Sequence, residues 1–215
     1  MRARFCALAL LAFTTPAAAQ DLPAASAQRI IDEANAEGVF EVVEDEHVTV
    51  RHPASGLQCT FFLGDNSSGR LHLYENAQRG DDVSCEMRAP GETTSLYATR
   101  YPQGTSLREQ LDGAEAAIRQ RFRDARPHPP GLTVTVDGQP QHEERHFFVT
   151  LDGQRHLTTV SIAIVGEWVI KLRYTATAPD EEMVRQRELM AGVLMSATLM
   201  EIEKGRAPPA GEAPL

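Results

Sequence analysis

The stretch that most constrains this chain is Leu157 to Ala176, LTTVSIAIVGEWVIKLRYTA. Val160, Ile162 and Ile164 alternate with Thr159, Ser161 and Ala163. Beyond Gly166-Glu167, Trp168, Ile170, Leu172 and Tyr174 alternate with Val169, Lys171, Arg173 and Thr175. Alternation with a period of two on both sides of a two-residue turn predicts a β-hairpin with one buried face. The single tryptophan lies in it. The hairpin is therefore expected at the centre of a sheet.

The first residues read as a targeting segment. Arg2 and Arg4 precede an apolar run, Phe5 to Phe13, too short to span a bilayer; Ala17-Ala18-Ala19 supplies the small residues of a cleavage site. The expected division is a signal peptide over 1–19, one domain over 20–203 and a Pro/Gly-rich tail over 204–215. Cys6 sits at the start of the apolar run, where it cannot serve as a lipid attachment site. No later run reaches the roughly 18 apolar residues a membrane helix needs. A periplasmic or secreted location follows.

Removal of 1–19 takes away two arginines and no acid, and moves the formal charge from −9 to −11. That acidity repels nucleic acid and anionic lipid. Cys59 and Cys85 are then the two cysteines left in an oxidising compartment, and they are expected to pair. The bridge closes a loop worth about 3 kcal/mol on the chain-entropy model. A redox role has no C-x-x-C spacing to support it.

A helix is expected over Ala24–Glu37 with Gly38 as its C-cap, and short strands with turns every eight to twelve positions from Val39 to Tyr101. Ser106-Leu107-Arg108-Glu109 is a capping box. It opens a helix, Leu107 to about Arg123, with Leu107, Leu111, Ala114, Ile118 and Phe122 on one face. Prolines exclude a helix over Arg126–Gly131. Strands are expected over Leu132–Val136 and His146–Leu151, with turns at Asp137-Gly138 and Asp152-Gly153. A last helix begins near Pro179 and runs towards Ile202, with Met183, Met190, Val193 and Leu194 as its buried stripe. The order is that of an α+β fold: an antiparallel β-sheet of about six to eight strands, helices packed on it, and helices at both ends of the domain. The layout of residues 39–200 resembles Mog1/PsbP-like domains in its order of elements. The HPASGLQC stretch, His52 to Cys59, resembles small exported proteobacterial proteins. Neither resemblance implies a reaction.

His142-Glu143-Glu144-Arg145-His146 matches the H-E-x-x-H pattern of zinc peptidases. There a helix brings the two histidines onto one face and the glutamate acts as general base. Here Pro140 and the strand-like Phe147–Leu151 frame it. On a strand His142 and His146 stand roughly 13 Å apart, too far for one ion. The expectation is polar side chains on a strand surface. His72 and His156 are candidate strand neighbours of the pair. No phosphate-cradling glycine loop, serine-hydrolase elbow or cofactor motif is present. Lys171 and Arg173 share one face of the second hairpin arm, and a cationic pair on an exposed sheet face suits an anion. The sequence reading is an exported accessory or binding protein without catalytic activity, its partner an envelope protein or a small anionic ligand. The alternative is a zinc-dependent hydrolase using His142, His146 and Glu143.

Overall fold

The computed structural model describes residues 21–206 apart from Asp65, Asn76, Pro130, Leu132, Thr133 and Thr135. The expected signal peptide and most of the expected tail lie outside the described residues. The elements run α1 (Asp21–Glu33), β1 (Glu41–Glu44), β2 (Val48–Arg51), β3 (Gln58–Phe61), β4 (Ser68–Leu73), β5 (Asp82–Ala89), β6 (Glu92–Arg100), α2 (Leu107–Arg121), β7 (Arg126–His128), β8 (His142–Leu151), β9 (Gln154–Val165), β10 (Trp168–Thr177) and α3 (Glu181–Arg206). The fold is α+β, as expected. Its strands form two sheets: a small one, β1-β2-β3, and a seven-stranded one in the order β4-β5-β6-β10-β9-β8-β7. Every pairing of named strands is antiparallel. No helix among the described residues is long and apolar enough to cross a membrane.

The expected hairpin is β9–β10, and β10 is the middle strand of the large sheet. Gly166 takes φ +65° in its turn, and Asp152 and Gly153 take +49° and +74° in the turn between β8 and β9. The two arms do not share one buried face. Trp168 pairs with Val165 and Val169 with Ile164, so Ile170, Leu172 and Tyr174 point opposite to Val160, Ile162 and Ile164. All of them are buried except the half-buried Ile164, because helices cover both sides. On one side α2 lays Leu111, Ile118 and the adjoining Phe122 against Phe147, Val160, Ile162 and Val169. On the other, α3, α1 and the small sheet share a core with Trp168, Ile170, Leu172 and Tyr174.

The capping box forms as expected. The Ser106 hydroxyl accepts from the Glu109 amide at 3.2 Å, and the Glu109 carboxylate accepts from the Ser106 amide at 3.0 Å. Helix α1 ends four residues earlier than expected, because Asn35 already takes the left-handed conformation that terminates it (φ +49°); Gly38 takes one as well (φ +74°), in the turn beyond. Among the described residues Val134 and Val136 belong to no strand. The edge strand is instead β7, whose Pro127 is tolerated because β7 pairs on one side only.

Helix α3 departs most from expectation. Met190 and Val193 are exposed, at 46% and 47%. The buried side holds Val184, Glu188, Ala191, Gly192, Met195, Ser196, Leu199 and Ile202. Gly192 makes room for a neighbouring loop side chain: a Cβ on it would lie 2.7 Å from the Val134 side chain. The helix also continues through Lys204–Arg206, where a tail was expected.

Cys59 on β3 and Cys85 on β5 are joined, with Cα atoms 6.3 Å apart. The bridge ties the small sheet to the large one. The loop after β2 is a plug in the same core. His52 Nδ1 lies 2.8 Å from the Ser55 hydroxyl, which also accepts from the Leu57 amide at 3.1 Å. The His52 ring packs edge-on against Trp168 and tilted against Phe40, each at 5.3 Å between centroids. The HPASGLQC stretch is therefore structural.

Candidate functional site

Helix α2 covers only the β8–β9–β10 part of its side of the sheet. Beyond it, three rungs of side chains run across β5, β6 and β10: Ser84, Tyr97 and Lys171; Glu86, Ser95 and Arg173; Arg88, Thr93 and Thr175. The end of α2 closes this strip with Arg121 and Phe122. The result is a recess of about 140 Å³. It is polar because the same three strands send their apolar residues (Leu96, Ala98, Ile170, Leu172) to the other side.

The cations of the recess are poorly matched by anions. Glu86 is already engaged, accepting from Arg88 at 2.8 Å with Arg70 at 3.6 Å. Lys171, Arg121 and Arg173 take part in none of the ion pairs of the described residues. Aromatic faces shield them instead. Lys171 Nζ stands 4.2 Å from the centre of the Tyr97 ring, and the Arg121 and Arg173 guanidiniums stand 5.3 and 5.7 Å from that of Phe122. Arg173 Nη2 is buried and donates to nothing among the described residues. Burial first, and then Arg121, pull the Arg173 guanidinium below the ordinary arginine value. Burial likewise pulls Lys171 below the ordinary lysine value, with Asp82 opposing. Arginine side chains stay protonated in proteins, so Arg173 keeps its charge. A buried charged donor without a partner costs more than an ordinary unmade hydrogen bond, and an incoming anion removes that cost.

Lys171 and Arg173 stand where the sequence put them, on one face of β10. They were read as a cationic pair on an exposed sheet face. The sheet has helices on both sides, and the pair is half-buried because α2 stops short of it. Sequence reasoning missed Arg88, Arg121, Thr93, Ser95 and Tyr97. The signal was available in Thr93, Ser95 and Tyr97, which alternate with Thr94, Leu96 and Ala98.

The H-E-x-x-H stretch is strand throughout, the first half of β8. The helix that a zinc hydrolase needs is absent there, and Glu143 points away from the two histidines, to the side where Arg145 bridges Asp112 and Glu115 of α2. His142, Glu144 and His146 face α3. They are not the surface residues that were expected: their side chains are 4%, 3% and 0% exposed. Glu144 lies between the imidazoles, 3.7 Å from His142 Nε2 and 3.5 Å from His146 Nε2. Among the described residues neither carboxylate oxygen has a hydrogen-bond partner, and nor has either Nε2. His146 Nδ1 is 2.9 Å from the Thr159 hydroxyl, and burial pulls its pKa below the usual histidine value. Beside them His128 of β7 lies 3.2 Å from Glu188 of α3, which also accepts from the Gly131 amide at 3.2 Å. Among the described residues no three histidine, cysteine or acidic side chains are placed to hold a metal ion. His72 stacks near Tyr74 on β4, and His156 is bonded to Gln154 and Thr177; neither joins the pair.

A second cavity, of about 230 Å³, lies between β3, β5, β6 and α3. Its walls include Phe61, Met87, Leu96, Leu194 and the Cys59–Cys85 bridge.

No family model matches the chain, and no curated protein matches it. Among solved structures, LpqN of Mycobacterium tuberculosis, described as involved in cell envelope biogenesis, aligns at 15% identity and a TM-score of 0.28, over 66% of this chain and 82% of LpqN. CalU16 of Micromonospora echinospora aligns at 12% identity and a TM-score of 0.24, over 67% of this chain and 88% of CalU16. These likenesses are distant, and neither supports the resemblance to Mog1/PsbP-like domains.

Proposed function

We propose that the chain is a binding protein of a periplasmic or extracellular compartment that holds a small anion beside Arg173 and acts by binding rather than by turnover. One observation carries this reading: Arg173 Nη2 is buried in a polar recess with no acceptor among the described residues. Arg121, and Lys171 one rung along β10, raise the positive potential around it, and Ser95 and Thr93 add neutral donors. The location rests on the basic-then-apolar start of the chain and on the Cys59–Cys85 bridge, which persists where thiols are not kept reduced.

The test is thermal unfolding of the purified protein in a panel of sodium salts at constant ionic strength. At least one small oxyanion should raise the melting temperature over chloride in the wild type and leave Arg173→Met unmoved. Equal shifts in the wild type and Arg173→Met, or none in either, would refute the reading.

A further inference from the structure

The charge count of the recess narrows the ligand, given that the recess holds an anion at all. The geometry points to a dianionic, tetrahedral oxyanion of the phosphate monoester class. Three guanidiniums line the recess, Arg88, Arg121 and Arg173, and its one lining carboxylate, Glu86, pairs with Arg88 at 2.8 Å. That leaves the Arg121 and Arg173 guanidiniums, with Lys171 one rung further along β10 and turned onto Tyr97. Two uncompensated guanidiniums match two negative charges, and a monocarboxylate would leave one of them unpaired.

Donor number agrees. The rungs place Ser95 beside Arg173, and Thr93 beside Thr175 on the neighbouring rung. Strands in a sheet are spaced roughly 4.8 Å apart, so these hydroxyls and the Arg173 fork surround a volume one tetrahedral anion wide. A phosphate presents three terminal oxygens, each able to accept more than one bond, whereas a carboxylate presents two. Phe122 and Leu151 form the remaining wall. They offer an apolar edge to the organic part of an ester, and at about 140 Å³ the recess admits the charged group with few carbons beyond it. A chain of formal charge −9 attracts no anion by its overall field, so the specificity has to be local.

Isothermal titration at low ionic strength tests this with inorganic phosphate, glycerol phosphate, sulfate and acetate as probes. Phosphate, glycerol phosphate and sulfate should bind saturably, at least about tenfold tighter than acetate. The phosphate ligands, but not sulfate, should weaken below about pH 6, where the second phosphate proton returns. Arg121→Gln, at an exposed position at the end of α2, should weaken the dianions by about tenfold and acetate less. Acetate binding as tightly as phosphate, with both lost in Arg173→Met, overturns the dianion assignment and leaves the anion site standing. Binding of none of the four, or binding indifferent to Arg173→Met and Arg121→Gln alike, overturns both. Vesicles containing phosphatidic acid separate the sources of the group. Capture that depends on Arg173 assigns a lipid headgroup, and titration by glycerol phosphate without capture assigns a soluble ester.

Discussion

Acid should unfold this protein through His52. The ring is 2% exposed, packed between Phe40 and Trp168. Burial lowers its pKa from 6.5 to about 4, against the opposing pull of Asp81 and a backbone bond to Gly80. A histidine with a depressed folded pKa is stabilising only while neutral. Its contribution is complete above the unfolded pKa of 6.5, and it is lost as pH falls from there towards 4. Each pH unit between the unfolded and folded pKa corresponds to about 1.36 kcal/mol. Linkage then gives a loss of about 2 kcal/mol at pH 5 and about 3 kcal/mol at pH 4, relative to neutral pH. The assay is urea unfolding at pH 7.5, 6, 5 and 4.5 for the wild type and His52→Asn. Asparagine can reach the Ser55 hydroxyl as Nδ1 does but does not titrate. The variant will be less stable at neutral pH, since it leaves part of the ring's space empty. The relevant quantity is the change with pH, in which the carboxylates common to both proteins cancel. The wild type should lose about 2 kcal/mol more than the variant between pH 7.5 and 5. Parallel curves would refute the claim that His52 is held neutral by its surroundings.

Two other perturbations have definite signs. Cys59→Ala/Cys85→Ala should cost about 3 kcal/mol. Because the bridge joins β3 to β5, amide exchange should quicken first in β1–β3, and uniform quickening would contradict the view that the small sheet depends on the bridge. Glu144→Gln should leave stability at pH 7.5 unchanged or raise it by about 1 kcal/mol, where removal of a buried charged side chain would ordinarily be damaging. Among the described residues the carboxylate has no donor, burial disfavours the charged form of its neighbour His146, and an amide can donate where the carboxylate cannot. A loss of about 2 kcal/mol or more in urea unfolding would show that Glu144 has a partner among the imidazoles or bound at the site.

The errors of the sequence reading share one physical origin. Alternation reports which residues share a side of a strand; it carries no information about what covers that side. The hairpin, its turn and the central place of β10 followed from spacing alone. The capping box and the cysteine pair depended on contacts whose chemistry is local or forced, and they were legible too. By contrast His142, Glu144 and His146 alternate with Glu143 and Arg145 on β8, so both sides of that segment read as polar and both as wet. In the fold one side meets α2, where Arg145 finds Asp112 and Glu115, and the other is sealed under α3. Helix α3 was misread for the complementary reason. Its buried face mixes Val184, Met195, Leu199 and Ile202 with Ala191, Gly192 and Ser196, while Met190 and Val193 are left outside, so a rule that seeks the largest side chains picks the wrong face. The recess at Arg173 combines the two effects. Its polar rungs are visible as alternation in β6 and β10. Its depth, and hence the buried unpaired guanidinium that makes it a site, comes from α2 ending at Arg121 instead of reaching across β6. A length of helix, not a motif, separates a solvated sheet face from a binding pocket here. Lengthening α2 by one turn, which would lay new side chains over Ser95 and Arg173, should therefore abolish anion binding without touching any residue of the rungs.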